Sequence, residues 1–276
     1  MVLSKAAREL AALLENYGVP STARSAELMA RYVDRARRFR FEWTFLATVV
    51  SVTVSIAWYR RLEIGVSTYP PLTDVPLVVM VGWFCGVIRT EFFRLRRAVP
   101  GRTAALVPRD PATFGSGGLF VASRLVVLLA AAAAASNELL PGSPVHPSTV
   151  DAIACLSVAV LAAAEICRRA IVFRPRPALP DDLAVADSAI RRIGLRGLGL
   201  GATGVALCCL GYMLSLMGLR PGGNQMLRLY LDIAGPVLLF LAVVLANAAR
   251  TLVHVPVRRR PRPVPSAGPV GGPSPR

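Results

Sequence analysis

Six apolar runs recur along the chain, at roughly 43–59, 72–88, 118–136, 150–167, 197–218 and 229–247, with arginine-rich segments between them. Each is close to the ~20 residues a helix needs to cross a hydrocarbon core about 30 Å thick. Lipid offers no water to backbone N–H and C=O groups, so a run of this length that enters it has to be helical. The pattern predicts an all-α polytopic membrane protein with six transmembrane helices. The second and third runs have the least definite ends, because Asp74 and Pro76 stand near the start of one and Arg124 lies inside the other.

The cations test that count. Lys and Arg number eight, six, seven and six in the segments before the first run, between two and three, between four and five, and after the sixth. The three intervening loops hold two, none and two, and Arg124 is the last of the 32. An asymmetry of 27 to 4 fits six spans in the cytoplasmic membrane with both termini on the cytoplasmic side, whereas an odd number would destroy the alternation. Trp43 at one end of the first run, and Trp58 with Tyr59 at the other, fit aromatic anchors at the two interfaces. No signal peptide is expected, since Glu9 and Glu15 fall within the first apolar stretch. The 32 Lys and Arg face only 16 Asp and Glu, but a chain 54% hydrophobic with mean hydropathy +0.52 is not a soluble nucleic-acid binder.

Residues 1–42 read as an amphipathic helical pair, cytoplasmic or interfacial. Ser4 is placed to cap a short helix carrying Leu10, Leu13, Leu14 and Tyr17 on one face, and Gly18 followed by Pro20 stops it. From about Ser21 to Arg40, Leu28, Met29, Tyr32, Val33, Ala36 and Phe39 keep helical spacing, with Arg24, Arg31, Arg35 and Arg38 on other faces. Such a helix is expected to lie on anionic lipid headgroups and feed the first span. Residues 43–250 form the six-helix domain, and the Arg/Pro/Gly-rich tail at 251–276 is expected to be disordered. Between spans four and five, 180–194 reads as another helix on the membrane surface: Asp181 and Asp182 favour its start, Arg191 and Arg192 its end, and Leu183, Ala186, Ile190 and Ile193 form its stripe.

The even-numbered runs end alike, in "EFFR" (Glu91 to Arg94), "EICR" (Glu165 to Arg168) and "NAAR" (Asn247 to Arg250), spaced by 74 and then 82 residues. They suggest three in-out-in hairpins, by triplication or by repeated topological need. An acid at the rim of a membrane helix is a functional candidate and equally half of a charge pair. At a helix C-terminal end it opposes the macrodipole, so Arg168 at i+3 and Arg169 at i+4 are its expected partners, as Arg94 is for Glu91. Asn247 in the third copy speaks against a shared proton relay. Arg124, ~9 Å inside its run, reads first as a snorkelling side chain and second as a partner of Glu165 on an antiparallel neighbour.

No other pattern carries chemistry. Gly199-x-Gly201-x-x-Gly204 mimics a dinucleotide fingerprint but has no strand before it, and Gly197-x-x-x-Gly201 on the same run reads as close helix packing. Cys85, Cys155, Cys167, Cys208 and Cys209 lack metal or redox spacing, and His146 and His254 have no ligand partners nearby. No nucleophile, base and orienter can be assembled, so neither an enzyme nor a cofactor or metal site is expected.

At "AALVPRDP" (Ala104 to Pro111) and "FRPRPALPDDLAVADSAIRR" (Phe173 to Arg192) the chain resembles uncharacterised actinobacterial multi-pass, six-span membrane proteins with Arg/Pro-rich cytoplasmic loops. That resemblance implies the architecture and brings no activity or site residues. The expected function is a non-enzymatic accessory or scaffold subunit whose basic face holds anionic lipid or a membrane protein partner. The alternative is a small permease served by an ATP-binding subunit, because an amphipathic helix before six spans resembles the plan of ABC-2-type exporter permeases. Few intramembrane polar groups and no recognisable coupling motif count against it.

Overall fold

The computed structural model describes residues 5–61, 75–96, 117–139, 147–174, 179–218 and 225–251. Among them every regular element is an α-helix: α1 (Lys5–Tyr17), α2 (Ala23–Arg61), α3 (Val75–Arg96), α4 (Gly117–Leu139), α5 (Pro147–Phe173), α6 (Asp181–Gly218) and α7 (Gln225–Thr251). Four stretches among the described residues are long and apolar enough to cross a membrane: Val75–Phe93, Gly117–Asn137, Thr149–Phe173 and Asp181–Met217. They correspond to the second to fifth predicted spans. The first and sixth fall in α2 and α7, and α7 contributes a shorter apolar stretch, Leu229–Leu245. Ser4, both histidines and the 252–276 segment lie outside the described residues.

α6 is the axis of the bundle and touches α2, α3, α4, α5 and α7. Its sequence explains why. Without a hydrophobic drive between helices in lipid, close approach depends on small residues, and α6 spaces glycines along its length. Gly201 faces Trp83 and Phe84 of α3, Gly204 faces Met80, Gly199 faces Leu119 and Phe120 of α4, and Gly211 meets the backbone of Gly235 in α7. A Cβ at Gly201 would come within 2.8 Å of the Phe84 ring. The dinucleotide fingerprint is thus a set of helix contacts.

α2 and α3 run antiparallel at comparably short range. Tyr32 lies beside Glu91, Arg40 beside Gly86, and Ala47 beside Gly82. At Gly86 a Cβ would meet the Arg40 Cα at 2.7 Å and the Phe39 carbonyl oxygen at 2.8 Å, both backbone atoms that cannot move aside alone.

The amphipathic helix expected at 21–40 runs directly into the first apolar run. α2 continues through it without a break, and the 42/43 boundary falls inside one helix of 39 residues. Its buried Met29 and Tyr32 pack with Leu13, Leu14 and Tyr17 of α1 and with Ala186, Ala189 and Ile190 of α6. Protein covers Met29, Tyr32 and Ala36 of that stripe, whereas Leu28 is exposed. The 180–194 helix likewise runs on: it is the first part of α6, and Arg191 and Arg192 do not end it. At ~58 Å and ~57 Å by helical rise, α2 and α6 far exceed a ~30 Å hydrocarbon core, and their N-terminal parts build a second core with α1.

Local signals set the ends of that module. Gly18, at φ 59°, closes α1: its N–H reaches the Glu15 carbonyl at 3.0 Å, and the Val19 N–H reaches Leu14 at 2.8 Å. Thr22 caps α2 by accepting the Ser25 N–H at 3.2 Å, while its hydroxyl donates to Asp182 at 2.8 Å and ties the starts of α2 and α6 together.

Candidate functional site at the basic end of the bundle

The structure brings Glu165, Arg168 and Arg124 together. Arg168 Nε donates to Glu165 Oε2 at 2.7 Å, Arg124 Nε donates to Oε1 at 3.1 Å, and Arg124 Nη2 also donates to Oε1. Of the two readings of Arg124, it is the ion pair that forms, with its guanidinium half exposed. Arg168 also stacks 5.2 Å from the Phe120 ring centre, which orients it. Arg169 is exposed and is not a partner of Glu165.

The helix-dipole reason for that cluster does not hold. α5 continues eight residues past Glu165 to Phe173, so the carboxylate is about two turns from the helix end and outside the last turn, where a terminal effect acts. The group that serves the α5 end is Arg191 of α6. It is 1% exposed, is held by Asp187 at 2.8 Å through Nε, and donates from Nη1 to the carbonyls of Ile171 at 3.0 Å and Arg174 at 3.3 Å. A guanidinium there satisfies carbonyls left open where the helix stops.

Glu91 is placed differently from Glu165. It is 1% exposed, and its Oε1 accepts the Tyr32 hydroxyl at 2.7 Å. Gly194 of α6 packs directly against its carboxylate, leaving no room for a Cβ. The side chain of Arg94 lies outside the described residues, as do those of Asn247 and Arg250, so the repeated acid-arginine motif is described only at its second copy.

Beside Tyr32, between α1, α2, α3 and α6, lies a cavity of about 570 Å³. α2 supplies most of its wall, at Tyr32, Ala36, Arg37, Arg40, Phe41, Thr44, Phe45 and Thr48; Tyr17, Trp83, Ile193, Arg196 and Gly197 complete it. Tyr32, Ala36, Arg40, Thr44 and Thr48 recur every four residues, a row that winds around α2 by about 40° per step as it follows the cavity. Arg40 stacks on Trp83 at 5.3 Å, and its Nη2 lies over Gly197, where a Cβ would reach it at 3.3 Å. Burial pushes the Tyr17 phenol above the usual tyrosine range, and the neighbouring Arg196 and Arg192 pull it part of the way back.

Nearby, Arg89 is surrounded by Phe39, Trp43 and Phe93 at 5.2, 5.7 and 5.4 Å. Trp43, expected as an interfacial anchor, is therefore also a cation's aromatic neighbour.

Sequence reasoning missed Tyr32, Arg40, Trp83, Tyr17 and Arg196 as one site. The four-residue recurrence of polar and aromatic groups on α2 was the available signal, but the facing helices were not identifiable from it. Among the described residues no three His, Cys, Asp or Glu are grouped to hold a metal, and the five cysteines are unbridged. The arrangement offers cations, hydroxyls and apolar walls, which suit binding of an amphiphilic anion. Compared with known proteins, the chain matches no family model, no curated protein and no solved structure.

Proposed function

We propose that the chain is a six-span integral protein of the cytoplasmic membrane, with both termini inside, acting as a non-enzymatic accessory or scaffold subunit. The observation that carries this reading is the continuity of α6, which contributes to the main apolar core and to the second core with α1, while α2 runs from that second core along α3. One unbroken helix shared by both cores, with α2 packed beside it, couples them into one body, which suits a fixed platform better than a device that rocks. The middle of α6 is filled by Met80, Trp83, Phe84, Leu119 and Phe120 against its glycines, which favours support over passage. The 27 to 4 cation asymmetry supports a cytoplasmic α1 module, and the apolar runs in α2 and α7 are counted as the first and sixth spans.

A permease served by an ATP-binding subunit is the competing reading, and Pro236 inside α7 is the observation in its favour, since it removes one backbone hydrogen bond from within a helix of the bundle. Purification of the full chain in mild detergent separates the two. The accessory reading expects a stoichiometric membrane complex that Met29→Asp, aimed at the second core, releases. Co-purification of an ATP-binding subunit in its place would put the permease first. Orientation has its own test: phosphatase fused after Gly142 should be active and after Gly268 silent, and the reverse pattern would overturn the placement.

A further inference from the structure

We infer that the cavity between α1, α2, α3 and α6 is a binding site for one phospholipid with an anionic headgroup, taken from the surrounding leaflet. This goes beyond general attraction of a basic face to a membrane, because the groove has a charged end, an apolar end and a defined size. It rests on the bilayer placement proposed for α2.

The charged end holds Arg37, Arg40 and Arg196, and among the described residues no carboxylate lines the cavity. Glu91 is turned to Tyr32 and Gly194, behind the wall. The guanidinium of Arg40 is positioned by the Trp83 ring, and Arg196 and Tyr17 line the same cavity. A stacked arginine keeps its charge and presents N–H groups in a fixed fork, the geometry that phosphate oxygens accept. Basic pockets between membrane helices on the cytoplasmic side are a recurrent setting for anionic lipid headgroups.

Toward the membrane the same wall becomes aromatic. From Tyr32 to Thr48 the lining follows α2 for 16 residues, ~24 Å along its axis, and passes from Arg37 and Arg40 to Phe41 and Phe45. Phe41 and Phe45 are 71% and 61% exposed, so they form a rim on the lipid side against which an acyl chain can lie. A volume of about 570 Å³ falls within the ~300–1,000 Å³ typical of pockets that enclose a small molecule. A soluble phosphate would use the cations and leave the aromatic half unfilled.

The test is native mass spectrometry of the delipidated full chain, titrated with phosphatidylglycerol and phosphatidylcholine of identical acyl chains. One phosphatidylglycerol should bind with about a tenfold preference, because both lipids offer the same phosphate but only phosphatidylcholine brings a cation beside the arginines. Arg40→Gln with Arg196→Gln should abolish the preference. Arg31→Gln with Arg38→Gln, which removes exposed cations paired to Glu27 and Glu42 on the same helix, should leave it intact. Thr44→Trp fills the groove without touching a cation and should block the lipid, so the inference is decided even where the double arginine variant fails to fold. Equal binding of both lipids, equal loss in the Arg31/Arg38 variant, or displacement by inorganic phosphate alone would overturn it. Binding is read in detergent, where orientation plays no part, so failure here and failure of the phosphatase fusions are separate outcomes.

Discussion

α4 and α5 have the highest mean hydropathy of the four candidate spans, 2.1 each, yet only 28% of their apolar stretch is buried; α6, at 1.8, is 78% buried. In a water-soluble protein that order would be reversed. In lipid, apolar side chains gain little by leaving the acyl chains, so the helix that collects neighbours is the one that lets backbones approach. The glycines of α6 and of α3 do this, whereas the exposed Leu125, Leu128 and Leu129 of α4 are suited to face acyl chains. Each region also holds one buried or half-buried carboxylate. Glu91 lies within the tight α2/α3/α6 junction, and Glu165 lies on the looser α4/α5 face.

The largest expected effect tests the contrast directly. Gly86→Leu would drive a side chain into the Arg40 and Phe39 backbone and should cost about 3 kcal/mol, the upper part of the usual overpacking range. Ala132→Leu, on the exposed face of α4, should change stability by less than about 0.5 kcal/mol. Denaturation of the purified protein in mixed micelles measures both. Comparable losses would mean that α4 is covered by protein, and the contrast between the regions would collapse.

A smaller effect is expected from Tyr32→Phe. It removes the hydroxyl that Glu91 accepts and leaves a buried carboxylate short of one hydrogen bond, worth about 2 kcal/mol on the same assay. Restoration of stability by Glu91→Gln in the Tyr32→Phe background would show that the charge of Glu91 causes the loss; persistence of the loss would assign it to packing.

Smallest is Glu165→Gln. The amide oxygen still accepts from one of the two arginines, which reach different oxygens of Glu165, and the cluster is partly exposed, so the change should stay below about 1 kcal/mol with insertion into membranes unaltered. A loss larger than that of Tyr32→Phe would place the critical carboxylate in the looser region and invert the comparison.

Much of the helical content was legible because it depends on near neighbours. The stop at Gly18, the acidic first turn at Asp181 and Asp182, and the apolar runs of α3 to α6 are all local patterns. Two breaks inferred from sequence did not occur. Residues 40–43 change from amphipathic to apolar composition but include neither Gly nor Pro, so α2 continues. Gly194 and Gly197 follow Arg191 like a terminus, yet each is packed by a neighbour that repays a glycine inside a helix. The charge cluster was half legible: Arg168 lies within reach of Glu165 on one helix, whereas Arg124 comes from another helix, 41 residues earlier.

The sequence by itself determined which segments are helical, and which residues share a face, because a 3.6-residue period needs only the chain's own order. Only the tertiary structure decided what each face meets. Gly82 and Gly86 repeat the spacing of Gly197 and Gly201, but spacing does not say that α2 will press its backbone there. Nor does it say that Glu91 turns inward to Tyr32, or that Arg191 serves the end of α5. Those outcomes depend on which surfaces can approach within van der Waals contact once all the helices are in place, and that is a property of the assembled bundle.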